Sequence, residues 1–236
     1  MFFRGGERRV MGGAGENDLG IGEASDRAGD SGASATGGLR RAGAADWRTL
    51  GRLVGQAFAD DPVSRWTLGP PETIEAVFTA LGRHVYLPRG ICMIADQGGG
   101  TMWLGPGGSK AMPILPQLAL VARLIGAGGP GAVGRALAVD RAMRRRRPAE
   151  PHFYLFAVGV AAEARGAGLG RRLIAATLEQ ADRAGLPAWL ENSNPRNESL
   201  YRGLGFVPVE TFAPAPGAPP LTTMQRPVPR PVVPHR

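Results

Sequence analysis

The apolar run Phe153-Tyr-Leu-Phe-Ala-Val-Gly-Val160 is followed within a few residues by Arg165-Gly-Ala-Gly-Leu-Gly170, and then by an amphipathic stretch. Nearly continuous aromatic and aliphatic side chains predict a strand buried on both faces. The closely spaced glycines suit neither strand nor helix and predict a sharp turn. Beyond them Leu173, Ile174, Thr177, Leu178 and Ala181 recur at helical spacing, and Gly185 stops the pattern. This predicts a helix over about 169–184. A strand that feeds a glycine turn into a helix leaves several backbone N–H groups at the positive end of the helix dipole, an arrangement suited to a phosphate or pyrophosphate. Two standard phosphate signatures do not apply: GxGxxG counted from Gly166 meets Arg171 where the last glycine belongs, and no GxxxxGK[ST] occurs.

The rest of the chain extends this unit into an α/β domain. Asp46 precedes a helical stripe of Trp47, Leu50, Val54, Ala57 and Phe58 and is the expected N-cap, while Asp60-Asp61-Pro62 stops the stripe. Pro71 opens a second helix with Ile74, Val77, Phe78, Leu81 and Val85 on one face. Strands at 91–96 and 101–104 flank Gln97-Gly-Gly-Gly100 and predict a hairpin. Residues 111–147 read as two helices broken at 126–130. A strand at 188–192, a short helix at 196–203 and strands at 206–212 and 221–226 complete a mixed α/β sheet. The expected domain is 39–226. Residues 1–38 are rich in glycine and poor in large apolar side chains, so a disordered leader is expected there, and a proline-rich extended tail at 227–236.

Composition narrows the function. The formal net charge is +8, and Lys110 is the only lysine among the 28 basic residues. A basic body suits an anionic ligand. The single cysteine, Cys92, lies in an apolar run, which excludes a disulfide framework and a cysteine metal site and predicts core packing. The longest apolar stretch, 114–125, is interrupted by Pro116, Gln117 and Arg123 and is too short to span a bilayer. With no signal-peptide core after Met1, a cytoplasmic protein without membrane contact is expected.

Two segments carry a family resemblance. Arg165-x-x-Gly168-x-Gly170 is similar to the pyrophosphate loop of the GNAT family of N-acetyltransferases. Asn194-Pro-Arg-Asn-Glu-Ser-Leu-Tyr-Arg-Gly-Leu-Gly-Phe206 resembles that family's second signature, in the right order and at the right separation. Ala57-Phe-Ala-Asp-Asp-Pro62 and Met102-Trp-Leu-Gly-Pro106 look like its small-molecule amine-acetylating branch. The resemblance implies a mixed, mostly antiparallel central sheet flanked by helices, with a splayed strand pair forming an acyl-CoA cleft. It implies acetyl-CoA as acyl donor, with no metal. Val158, Gly159 and Val160 would face the pantetheine arm. Arg165, Gly166, Ala167, Gly168, Leu169 and Gly170 would hold the pyrophosphate, with Arg171 and Arg172 on adjacent phosphates. Asn194, with Asn197 as a second candidate, would contact the cofactor, and Tyr201 would protonate the departing thiolate.

Amine acetylation needs a neutral nucleophile, a donor for the developing oxyanion and an acid for the thiolate, and it needs no covalent enzyme intermediate. Glu191 follows Leu190 on a strand, so it points to the cleft if Leu190 points to the core, and it is the candidate base. The other reading is a surface carboxylate at a strand end. Asp60 and Asp61 either attract a cationic amine or serve turn and capping chemistry. Isolated His84 and His152 are read as structural. Arg144-Arg-Arg-Arg147 is read as a solvated helix end, the alternative being a nucleic-acid-binding run over 141–147. Two rival functions stand beside catalysis: a silent acyl-CoA-binding regulatory domain of the same fold and a nucleic-acid-binding module. The expected partner is a small-molecule or peptide amine, not nucleic acid, bound by a monomer or homodimer in a pocket built from 58–70, 106–130 and 212–222.

Overall fold

A computed structural model describes residues 38–229. The expected leader and tail lie outside these residues, except for Gly38 and 227–229.

Strand β1 (Leu39–Arg41) leads into α1 (Trp47–Ala57), α2 (Pro62–Leu68) and α3 (Pro71–Leu81), then a π-helical turn and α4 (Leu87–Arg89). The hairpin of β2 (Ile91–Ala95) and β3 (Gly99–Leu104) follows, then α5 (Ile114–Arg146), β4 (Phe153–Val160), α6 (Leu169–Arg183), β5 (Ala188–Asn192), α7 (Glu198–Arg202), β6 (Val207–Phe212) and β7 (Leu221–Arg226). These seven strands form one sheet in the order β1-β2-β3-β4-β5-β7-β6. Only β4 and β5 run parallel; every other pair is antiparallel. The helix α5 is two helices joined at Gly128 and Gly129, whose backbones leave the helical region, with Pro130 just beyond. This is the break expected from 126–130.

Each face of the sheet buries its own core. Leu50, Val54, Ile74, Phe78 and Tyr86 pack with Met102, Tyr154 and Trp189 on the side of α1 and α3. Ile174 and Leu178 of α6 pack with Trp103, Phe153, Leu155, Leu190 and Phe206 on the other side. Over Phe153–Leu155 and Ala188–Leu190, residues of β4 and β5 alternate between the two clusters, so a one-residue slip there would exchange the two faces. Cys92 is buried in the first core, which pushes its thiol up to about 12. No helix among the described residues is long and apolar enough to cross a membrane.

Two local expectations change. Asp46 stands at the N-cap position of α1 as expected, but its side chain makes no capping bond there; its carboxylate accepts from the N–H of Gly43 at 2.7 Å and from both terminal guanidinium nitrogens of Arg40 at 2.7 Å. The ion pair with Arg40 is the main reason that its carboxyl is held down at about 2. Asp60-Asp61-Pro62 ends α1 but also starts α2. Asp61 is the N-cap, accepting from Ser64 N–H at 2.8 Å, and Pro62 occupies the first turn, where its missing N–H costs nothing. A stop signal and a start signal share the same residues here.

Candidate functional site

The parallel ladder between β4 and β5 covers only Phe153–Ala188, Tyr154–Trp189 and Leu155–Leu190, although β4 runs on to Val160 and β5 to Asn192. From Phe156 onward the edge of β4 that faces β5 has no strand partner, while the other edge of β5 is paired with β7 over its whole length. This is the splayed pair expected from the resemblance. The separation begins at a bulge: Met102 pairs with Ala157 and Trp103 with Leu155, which leaves Phe156 as an extra residue in β4. The bulge turns Phe156 and Ala157 to the same side as Tyr154, while Val158 and Val160 pack toward α6.

The three residues expected on the pantetheine arm lie along this open edge. The carbonyl of Val160 accepts from Arg165 Nε at 3.1 Å, so Arg165 ties the strand end to the glycine turn. Gly159 is small for a packing reason that sequence reading missed. A Cβ there would fall 2.8 Å from Cα of Val54 and 2.9 Å from the carbonyl oxygen of Leu53, so α1 rests directly on β4 at this point. Gly159→Val is expected to lower the melting temperature by several degrees, about 1–3 kcal/mol for overpacking against a backbone that cannot move aside. A thermal melt followed by circular dichroism checks this.

Gly166 and Gly168 have φ of 83° and 74°, in the left-handed region that favours glycine, and nothing lies within 4 Å of a Cβ built on either. Gly168 is the N-cap of α6, and the first intrahelical bond runs from Arg172 N–H to the carbonyl of Gly168. The amides of Leu169, Gly170 and Arg171 therefore precede the helical ladder, at the positive end of a 15-residue helix. Ala167 lies between the two positive-φ glycines. A Cβ on Gly170 would make only ordinary contacts, 3.6 Å from Val160 and 3.7 Å from Leu200. A left-handed turn, open space before it and a helix N-terminus behind it together fit a pyrophosphate.

Arg171 turns away from that opening: its Nη2 donates to the carbonyl of Gly203 at 2.7 Å and joins α6 to the end of α7. Asn194 Oδ1 accepts from Arg196 N–H at 3.1 Å, and its own N–H donates to Asn192 Oδ1 at 3.2 Å. Asn197 is exposed and its N–H donates to the carbonyl of Asn194 at 2.9 Å. These bonds shape the β5–α7 connection and set the start of α7, which carries Tyr201. Tyr201 is buried and meets the ring of Phe206 edge-on, with centroids 6.1 Å apart. Burial, reinforced by the charge of Asp61, pushes its phenol above the usual range. Asp61 in turn accepts from Ser193 Oγ at 2.5 Å, linking α2 to the end of β5.

Glu191 sits on the side of β5 opposite to Leu190, as alternation required. Its side chain is only 1% exposed, which rules out the surface-carboxylate reading. Oε2 accepts from Tyr154 Oη at 2.7 Å and Oε1 from Trp189 Nε1 at 3.1 Å, with Arg147 Nη2 at 4.0 Å. Lys110 Nζ donates to the same Tyr154 hydroxyl at 3.2 Å and lies over the rings of Tyr154 and Phe156, at 4.5 and 4.8 Å from their centroids. Burial, helped by the charge of Arg147, pulls the Lys110 ammonium down to about 7.

Lys110, Phe156 and Glu191 of this group line one wall of a cavity of about 220 Å³. Phe58, Phe78, Leu120, Leu124 and Met143 give it a mostly apolar lining, and Asp61, Lys110, Asp140, Glu191 and Ser193 supply polar points. Segments 58–70 and 106–130 contribute as expected, joined by Leu221. The second half of α5 and the face of α3 also contribute, and no motif marked them. The cavity meets the splayed edge at Phe156 and Glu191.

The run 144–147 is a solvated helix end only in its first half: Arg144 and Arg145 are exposed, whereas Arg146 and Arg147 turn onto the domain. Arg146 pairs with Glu210 at 3.0 Å and stacks on Phe212, Arg144 pairs with Asp140 at 2.5 Å, and Arg147 stacks on Tyr154 with its guanidinium carbon 3.7 Å from the ring centre. Arg146 and Arg147 close the domain over β6 and β4 because acidic and aromatic partners stand opposite them. His84 and His152 lie away from the cavity; His152 Nδ1 contacts the carbonyl of Glu150 at 2.7 Å.

Comparison with known proteins agrees with this geometry. The family model for the Acetyltransferase (GNAT) family matches residues 120–206. An uncharacterised N-acetyltransferase of Schizosaccharomyces pombe is 27% identical over 181 residues, covering 71% of this chain and 73% of that protein. Among solved structures, a Corynebacterium glutamicum protein described as histone acetyltransferase HPA2 and related acetyltransferase superposes with a TM-score of 0.62 at 25% identity. The match covers 83% of this chain and 98% of that one. The polyamine N-acetyltransferase of Drosophila melanogaster shares the fold, with a TM-score of 0.51 at 17% identity over 79% of this chain and 97% of its own. Residues 120–206 thus match an acetyltransferase domain of the GNAT family, and the fold around them is shared with solved acetyltransferases.

Proposed function

We propose that the protein transfers the acetyl group of acetyl-CoA to a primary amine with an apolar body, by direct attack and without a covalent enzyme intermediate. The observation that carries this reading is the meeting of three features in one place. The glycine turn and helix N-terminus lie at one end of the open β4 edge, Tyr201 packs in the cluster of Ala188 and Leu190 of β5 within reach of the charge of Asp61 in the cavity wall, and an apolar cavity with buried carboxylates opens onto the same splay.

Acetyl-CoA supplies an activated acetyl thioester and a thiolate leaving group. The amides of 166–171 would hold its pyrophosphate, and the unpartnered edge of β4 at 156–160 would take the pantetheine arm as an added strand and offer a main-chain N–H to the developing oxyanion. Tyr201 donates its Oη proton to the thiolate; the raised phenol keeps that proton in place until negative charge builds on sulfur. Asp61 and Glu191 favour a cationic amine at the cavity mouth, and Glu191 is the final acceptor of its proton. The apolar lining rewards an alkyl or aryl body, at roughly 25 cal/mol per Å² of apolar surface buried.

Thiol release from acetyl-CoA over a panel of primary amines tests the reading. The expected result is turnover that favours apolar-bodied amines, with initial-rate patterns that intersect as a ternary complex requires. Acetyl-CoA binding without thiol release from any amine would instead support a silent acyl-CoA-binding domain.

A further inference from the structure

The cavity contains a primary amine of the protein's own that the mechanism above does not use. Lys110 is the only lysine of the chain, and its Nζ lies at the cavity wall between the rings of Tyr154 and Phe156, the second of which is the bulged residue at the start of the splay. Its hydrogen bond goes to Tyr154 Oη, and that hydroxyl donates its own proton to Glu191 Oε2. Both oxygens of Glu191 already accept protein donors, so the carboxylate is reached through Tyr154. We infer that Lys110, Tyr154 and Glu191 form a relay in which Lys110 is the catalytic base that takes the proton from the acceptor's ammonium group. The inference rests on the acetyl-transfer reading of the site.

The proton balance is simple. The lone pair of neutral Lys110 forms a new N–H bond as one N–H bond of the acceptor breaks, and the acceptor nitrogen keeps the electron pair with which it attacks. Lys110 then gives a proton to Tyr154 Oη while the Tyr154 proton moves to Glu191 Oε2. Lys110 and Tyr154 return to their neutral forms, and the carboxyl holds the proton until it passes to solvent before the next turnover.

The surroundings of Lys110 suit this task. Tyr154 from β4 hydrogen-bonds it directly, and the charges of Arg147, Glu191, Asp140 and Arg144 act on it from β5 and the α5 end. Burial and the arginines favour the neutral amine; Glu191 and Asp140 oppose them. The balance near 7 gives a base that is neutral for part of the time at physiological pH and still basic enough to accept a proton.

Because the chain has one lysine, isotope-labelled lysine gives a single side-chain resonance to follow against pH. The relay predicts a midpoint near neutrality in the wild type and a lower one in Glu191→Gln, which removes the charge that favours the ammonium. With 2-phenylethylamine as the probe acceptor, kcat/KM should rise with pH through the same range. Lys110→Arg keeps a cation but cannot release its proton, and should lose about 100-fold in kcat/KM and the neutral-pH rise, with acetyl-CoA affinity unchanged. Lys110→Met should show the same loss at an undiminished melting temperature, since it removes a buried charge.

A midpoint at the ordinary lysine value would overturn the relay whatever the acceptor. So would Lys110→Met or Lys110→Arg that keeps wild-type turnover and its pH rise. If the wild type itself fails to acetylate the probe or any other amine, the acetyl-transfer reading falls and the relay with it. A near-neutral Lys110 midpoint would distinguish that outcome from failure of the relay alone.

Discussion

Gly168→Asp is expected to reduce acetyl-CoA affinity by at least about 100-fold while the fold survives. Gly168 holds a left-handed φ of 74° at the N-cap of α6, facing open space. Aspartate tolerates that backbone region better than most residues, so the turn should persist. Its carboxylate would then stand where the pyrophosphate is proposed to lie. Two like unit charges 4 Å apart repel by on the order of 4 kcal/mol at a surface-like dielectric, and every 1.4 kcal/mol or so is tenfold in affinity. Gly168→Asn separates charge from shape, because it fills the same space without the charge and should cost much less. Calorimetric titration of both variants checks the placement; equal and unchanged affinities would remove the loop from the cofactor site.

The second large effect falls on Tyr201. If its Oη protonates the thiolate, Tyr201→Phe keeps the packing against Phe206 and removes only the donor. Turnover should then fall roughly 10²- to 10³-fold, within the range of a positioned general acid, while acetyl-CoA affinity barely moves. The competing explanation is a structural hydroxyl whose loss costs about 1 kcal/mol of stability and spares turnover. Measuring kcat and melting temperature on the same variant separates the two. Turnover that survives with a lowered melting temperature makes Tyr201 structural.

Most of the frame was legible because it rests on local signals. The run 153–160, the glycines of 165–170 and the stripe from Leu173 to Ala181 predict a strand, a turn and a helix, and these are observed as β4, the 166–168 turn and α6. The inward aim of Glu191 followed from period-two alternation with Leu190. What escaped depends on contacts far apart in sequence. Tyr154 and Lys110 meet across 44 residues, and Asp61 and Ser193 across 132. No spacing rule links such pairs. The inward turn of Arg147 was hidden for a similar reason, since a basic run at a helix end looks solvated until an aromatic face from another strand covers it. Lys110 did carry one visible mark: it is the sole lysine beside 27 arginines, and a lysine, unlike an arginine, can give up its charge when buried.

Acetyl transfer to an amine is proposed to take place at the β4–β5 splay. Incubation of the wild type and Tyr201→Phe with acetyl-CoA and a primary-amine library, read by mass spectrometry, tests it most directly. The expected result is at least one apolar-bodied amine that gains an acetyl group, with an equimolar yield of free CoA and a product level strongly reduced in the variant. An unmodified library beside wild-type protein that binds acetyl-CoA tightly would contradict it.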